Sequence, residues 1–297
     1  TGWPGGKSNS DDTYRPERAM PEVKRIIIFS PHPDDDVVSM GGTFDRLISQ
    51  GHDVHVVYQT SGNIAVSNDS ILKFLEVYSD VFNIKDDSLN ISKKILFNSN
   101  EIIEDKFVRE VATKIREKEA LAATRYLGLS DKNVHFLRLP FYETGKVIKN
   151  KPSVNDFDLM NQIILKIKPH QIYAAGDLAD PHGTHAVCIN ILFRSLRKLK
   201  NQKFMNNCWV WLYRGAWHEW EVNEIDMAVP MSPAQVLRKR KSIFFHQSQN
   251  NSVMFQGDDK REFWERVEER NRDIAKQYRK LGMADYQAME TFKRYHF

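Results

Sequence analysis

Cysteine is nearly absent from this chain: its 297 residues hold only Cys188 and Cys208. Two thiols cannot build a disulfide framework, and so low a count suits a reducing compartment, so a cytoplasmic protein is expected. Long hydrophobic runs are missing as well. No stretch approaches the ~18–20 apolar residues of a membrane span, and no basic start leads into an apolar segment. Charge of one sign is also scarce. Forty-three Lys and Arg face 39 Asp and Glu, leaving +4 with the two signs interspersed. Such a mild excess does not point to a nucleic-acid partner, though it tolerates an anionic sugar or phosphate. Disorder is excluded too, because hydrophobic residues make up 41% of the chain and charged ones 28%, a globular balance. A chain of this length fits one enlarged domain, or a domain with an appendage.

The first 22 residues carry Gly2, Pro4, Gly5, Gly6, Pro16 and Pro21, which reads as an extended linker or strap. At Val23 the pattern changes. Residues 23–30 (VKRIIIFS) form an apolar run suited to a strand buried on both faces. Val37, Met40, Phe44, Leu47 and Ile48 then recur at helical spacing, Gly51 sits at a helix C-cap position, and Val54–Gln59 is a second apolar strand. Strand, helix and strand in about forty residues make a βαβ unit, hence a parallel sheet. Further strands are expected at Val134–Leu139, Gln171–Ala175 and Trp209–Tyr213, the last taken as the final core strand. The expected fold is a Rossmann-like, open, mostly parallel α/β sheet over residues 23–225, with helices on both faces. Residues 226–297 read as a helical C-terminal extension on the same domain. Its charged segment Lys260–Leu281 carries one narrow apolar seam, and its bases are matched by acids.

Ligands of open α/β sheets bind beyond the carboxyl ends of the strands. Two of the loops expected at that edge concentrate histidines and carboxylates: PHPDDD (Pro31–Asp36) and GDLADPHGTH (Gly176–His185). Alone, three adjacent aspartates read equally well as an over-capped helix start. Alone, His182 and His185 read as two surface histidines at i and i+3. Falling on one edge, the two clusters point together to a divalent metal held by His, Asp and His, with a fourth position open to water.

The same residues carry a family resemblance. PHPDDD after an apolar strand, DPHGTH near the fourth strand, Arg116 and Glu119 ahead of Ala122-Ala123 and Leu127-Gly128, and His246-Gln247-Ser248-Gln249 together resemble the PIG-L (LmbE-like) N-acetylglucosamine deacetylase family. The likeness spans about residues 23–250. It implies zinc, or another divalent metal such as iron(II), on His32, Asp35 and His185. Asp34 would be the general base and His182 the electrophile or general acid. Asn63, Arg116 and Glu143 would contact substrate, while Asp36 and Asp180 would support the metal-binding and catalytic side chains. Two departures from the family pattern stand out: Asp36 replaces the usual Glu, and Asn63 stands where many members have Glu. The opening WPGGK and the long tail also resemble the C-terminal region of bacterial proteins fused to a glucosamine-6-phosphate deaminase-like domain, which would account for a chain beginning at Thr1.

Competing motifs are weaker. Gly41-Gly42 lacks the GxGxxG of a dinucleotide binder and suggests close packing inside a helix, and no G-x-S-x-G elbow exists. Trp209, Trp211, Trp217 and Trp220 read as core more than as a sugar platform. The expected activity is zinc-dependent removal of an N-acetyl group from an N-acetylglucosamine-type substrate. The alternatives are a non-catalytic sugar-phosphate-binding or assembly module, or a metal hydrolase acting on another amide or ester.

Overall fold

The structure, a computed structural model, describes residues 22–83, 93, 106–144, 148–177, 183–215, 218–250 and 261–297. The expected linker lies, but for Glu22, outside the described residues. β1 (Arg25–Ser30) has Ile26, Ile27, Ile28 and Phe29 all fully buried, so both faces of the strand must be covered. Its alternation divides the core into two layers. Ile26 and Ile28 meet Val37, Met40 and Phe44 of α1 (Asp35–Ser49) on one face. Ile27 and Phe29 meet Met160 and Ile164 of α4 (Val154–Ile167), with Ile191 and Leu192 of α5 (Thr184–Leu199), on the other.

Around β1 lie β2 (Asp53–Tyr58), β3 (Val134–Phe136), β4 (Gln171–Ala175) and β5 (Trp209–Tyr213), all parallel. The sheet has seven strands in the order β3-β2-β1-β4-β5-β7-β6. Chain order reverses between β1 and β4, so the loops leaving those two strands diverge and open a crevice. The remaining helices are α2 (Asn68–Phe82) and α3 (Lys106–Leu127), then α6 (Pro233–Phe244), the short α7 (Gln247–Asn250) and α8 (Phe263–Lys280). Among the described residues, no helix is long and apolar enough to cross a membrane.

One expectation is corrected. Trp209–Tyr213 is not the last core strand, because β7 (Ala288–Tyr295) pairs antiparallel with it and β6 (Met227–Met231) pairs antiparallel with β7. The two strands were hard to read for physical reasons. β6 carries Pro230, which weakens a strand pattern. β7 (AMETFKRY) buries Glu290, a residue type that sequence patterning assigns to the surface. Of the tryptophans, Trp211 and Trp220 are buried and Trp209 is exposed, while Trp217 lies outside the described residues.

Glu290 is buried because α1 needs it. The helix is kinked at Met40 (φ −137°, ψ 27°), which releases backbone groups on either side from their helical partners. Glu290 accepts from the N–H of Gly42 at 2.9 Å, and from the N–H and the hydroxyl of Thr43 at 2.6 Å each. Lys239, from α6, closes the arrangement. Its Nζ lies 2.7 Å from Glu290 and 2.9 Å from the Asn271 side-chain oxygen, and it leans on the Ser39 carbonyl at 3.4 Å. Gly42 leaves room there for a neighbour: a Cβ would fall 2.1 Å from the Met231 sulfur, so the Met231 side chain of β6 packs against the helix backbone.

At the opposite end of the sheet, His55 of β2 stacks on His135 of β3, with ring nitrogens 3.0 Å apart. Burial, then the charges of His55 and Lys166, push His135 down to about 4, and burial also lowers His55 despite Asp53 beside it. An unfolded histidine titrates near 6.5. Between those values the unfolded chain binds a proton that the folded chain refuses, so stability falls on acidification from about 6.5 to about 4.

Two predictions follow from these contacts. Lys239→Met leaves the Glu290 carboxylate buried without its cation and should cost about 3–5 kcal/mol in denaturant unfolding. The double variant Lys239→Met/Glu290→Gln should lose less than the sum of the single losses. In the second test, the wild-type denaturation midpoint should drop between roughly pH 7.5 and pH 5. His135→Phe should show a smaller drop, and an equal one would disprove the assignment.

Candidate metal centre

The PHPDDD loop is fastened to the end of β1 by one side chain. The Ser30 hydroxyl donates to the His32 carbonyl at 2.6 Å and accepts the Asp36 N–H at 3.1 Å. The turn starts α1 at once, so three carboxylates gather at a helix N-terminus, where the macrodipole offsets part of their repulsion. From the far side of the crevice, α5 begins after Gly183 and presents His185 in its first turn. Divergence of the chain at β1 and β4 thus joins two residues 153 positions apart.

Three donor atoms meet there. His32 Nδ1, Asp35 Oδ2 and His185 Nε2 form a triangle with sides of 3.3, 3.3 and 3.2 Å. Zinc bound tetrahedrally at roughly 2.0–2.1 Å from each donor needs donors about 3.3–3.4 Å apart, so the set fits such an ion. Two imidazoles and one carboxylate also suit it chemically, although iron(II) accepts the same ligands. Burial alone would push Asp35 up, but the His185 and His32 imidazoles outweigh it and hold the carboxyl well below its usual range. The second Asp35 contact, the His32 N–H at 2.8 Å on Oδ2, fixes the carboxylate in place.

The flanking aspartates differ sharply. Asp36 is fully buried, accepts the Tyr58 hydroxyl at 2.9 Å, and is pushed up to about 7 by burial. It turns away from the triangle and braces the loop from below. Asp34 stands at the mouth and receives Nη2 of Arg116 at 3.2 Å. Arg116 was singled out in the sequence, and here it is 1% exposed, reaching across from α3. Its passage depends on Gly62, at φ +61°, where a Cβ would stand 3.1 Å from the guanidinium Nε.

The other expected residues are placed less directly. The Asn63 amide donates to the Thr113 hydroxyl at 3.1 Å and so ties its turn to α3. Glu143 accepts from the Ser61 N–H at 3.3 Å, joining the loops after β2 and β3, and burial raises its carboxyl. His182 and Asp180 lie outside the described residues. Sequence reasoning missed Tyr142, whose ring meets His32 edge-on at 5.9 Å, and Lys149, whose ammonium sits 4.0 Å from the Tyr142 ring centre. Burial pushes Lys149 down to about 8. An aromatic in a PFYETG loop was the only available signal; a lysine seven residues later gave none.

The open α/β sheet and this cluster define a chain of the deacetylase class of hydrolases. The chain belongs to the PIG-L family, described as GlcNAc-PI de-N-acetylase, which matches residues 27–195. A curated relative from Bacteroides thetaiotaomicron, the "putative glucosamine-6-phosphate deaminase-like protein", is 50% identical over 307 residues. That match takes in 99% of this chain but 46% of the relative, so the chain spans about half of the relative's length. Among solved structures, the N,N'-diacetylchitobiose deacetylase of Pyrococcus horikoshii is 20% identical with a TM-score of 0.58, covering 92% of this chain and 84% of that one. GalB, the 4-carboxy-2-hydroxymuconate hydratase of Pseudomonas putida, is 16% identical with a TM-score of 0.60, covering 93% and 97%. A hydratase and a deacetylase thus share this fold, and the reaction has to be argued from the site.

The purified protein should hold about one divalent ion per chain by elemental analysis, and His185→Ala should lose it. Stoichiometric metal retained in a His32→Ala/His185→Ala double variant would sink the ligand assignment.

Proposed function

We propose that the protein is a zinc-dependent amidohydrolase that removes the N-acetyl group from an N-acetylglucosamine-type substrate. The observation that carries this reading is the donor triangle with a further carboxylate, Asp34, immediately beside it in the chain and paired with Arg116 instead of the triangle. Family membership supports hydrolytic deacetylation as its use. When bound, a divalent metal polarises a carbonyl and lowers the pKa of a coordinated water to about 7.

The chain's own residues supply the rest. Asp34 adjoins a ligand without being one, so it can take a proton from the attacking water. Arg116 holds the Asp34 carboxylate by an ion pair that is almost fully buried on the arginine side. In this reading His182 stabilises the developing oxyanion and then delivers a proton to the departing amine. Asp180 orients one of the histidines, and Asn63, Arg116 and Glu143 border the sugar. The two buried cysteines, Cys188 and Cys208, are compatible with work in the cytoplasm. A glucosamine-6-phosphate deaminase-like domain is the partner we assign, on the strength of the longer relative's name and length.

The test is acetate release by the metal-loaded chain from a panel of acetylated amino sugars. Asp34→Asn keeps shape and hydrogen bonding while removing the base. It should retain metal and substrate binding, with turnover reduced roughly 10²–10⁴-fold. Unchanged turnover in Asp34→Asn would refute the mechanism. An unmodified protein that binds metal and amino sugars yet releases no acetate would instead be a binding module.

A further inference from the structure

α6 runs antiparallel along α1, and its contacts fix the register. Gln235 receives Arg46 at 2.9 Å, Arg238 reaches Asp45 at 2.8 Å, and Lys239 reaches the Ser39 carbonyl at 3.4 Å. Each step forward along α6 is a step back along α1. Continued past Phe244, this register carries His246 to the Asp34–Asp36 end of α1. The segment is then pinned from the other side. Ser248 gives its N–H at 2.7 Å and its hydroxyl at 2.6 Å to Glu119, three residues after Arg116 on α3. His246 is therefore held between the start of α1 and the arginine that grips Asp34.

Its surroundings are unusual for a structural histidine. The residue is 2% exposed, and neither ring nitrogen has a hydrogen-bond partner among the described residues. Nε and Nη1 of Arg116 are likewise buried without partners. Unmet polar atoms in a protein interior are costly, and four of them on two residues, a histidine and the arginine that grips Asp34, call for a common explanation. Burial, opposed by Asp34 and Asp35 and reinforced by Arg116, pushes His246 down to about 4, so the ring is neutral and has one N–H and one lone pair. A lone pair suits an arginine N–H, and an N–H suits a carboxylate. Contacts of this kind are often open in a free enzyme and tighten once substrate is bound.

We propose that His246 is a positioning residue for Asp34, offering its lone pair to Arg116 and its N–H to the Asp34 carboxylate, so that the pair presents the proton-accepting oxygen in one direction. The role rests on the deacetylase reading for its kinetic consequence. It lies outside the residues 27–195 that the family match covers.

The test uses the full, metal-loaded chain with His246→Phe, which keeps a ring without polar atoms, and His246→Gln, which keeps a donor and an acceptor. His246→Phe should lower kcat for acetate release roughly 10–100-fold, with KM and bound metal unchanged, and His246→Gln should recover most of the loss. Wild-type kcat in His246→Phe overturns the proposal, as does a fall in kcat accompanied by loss of metal. A second measurement needs no turnover. The ring ¹⁵N resonances of His246, assigned from their disappearance in His246→Gln, should shift in Asp34→Asn, and unmoved resonances overturn the proposal even if His246→Phe fails to fold. If the wild type releases no acetate, the deacetylase reading fails, while the ¹⁵N comparison still decides whether His246 engages Asp34.

Discussion

The buried pair of Lys239 and Glu290 is the contact on which the other parts of the molecule converge. A kink in α1 leaves backbone groups that no helix can satisfy, and in a dry interior they must be met by something else. Glu290 meets the donors from β7, and Lys239 meets a carbonyl from α6 while neutralising the acid. The pair therefore joins the first helix of the sheet to its last strand. Desolvating two charges is expensive, so such a pair adds little stability over an apolar substitute. What it provides is definition: it holds the bend of α1, and α1 begins at Asp35 of the candidate metal centre.

The parallel half of the fold was legible in the sequence because its signals are dense and local. β1 shows four successive buried apolar residues, α1 has a helical stripe, and Gly51 ends it in the left-handed region expected of such a cap. The antiparallel half was not legible. β7 hides a core position behind Glu290 and ends in Lys293 and Arg294, and the pairing that makes sense of these charges comes from residues far away in the chain.

The site divides along the same line. His32, Asp35 and His185 could be singled out because histidines and carboxylates cluster visibly in two loops, and the parallel sheet that puts both loops on one edge follows from the βαβ pattern. Asn63 and Glu143 were found by resemblance, and their contacts are with Thr113 and the Ser61 backbone. Arg116 sits in a helix rich in charge, where nothing in the spacing separates the one arginine that dives inward from those that stay in water. Tyr58 ends a strand that reads as plain core, yet its hydroxyl holds Asp36. Polar atoms at the tips of otherwise apolar side chains carry no periodic signal.

The distance along the chain between Gly42 and Glu290, 248 residues, also sets an order of events during synthesis. At about 5–20 residues per second, a ribosome takes on the order of tens of seconds to pass from one to the other. Throughout that interval the PHPDDD loop and its helix exist without their last support, although β2, and later β4, become able to pair with β1 before β7 is made. His32 and Asp35 are thus made well before β7 arrives to fix the helix that bears Asp35. Final definition of the helix that bears Asp35 therefore waits on a strand made more than two hundred residues later.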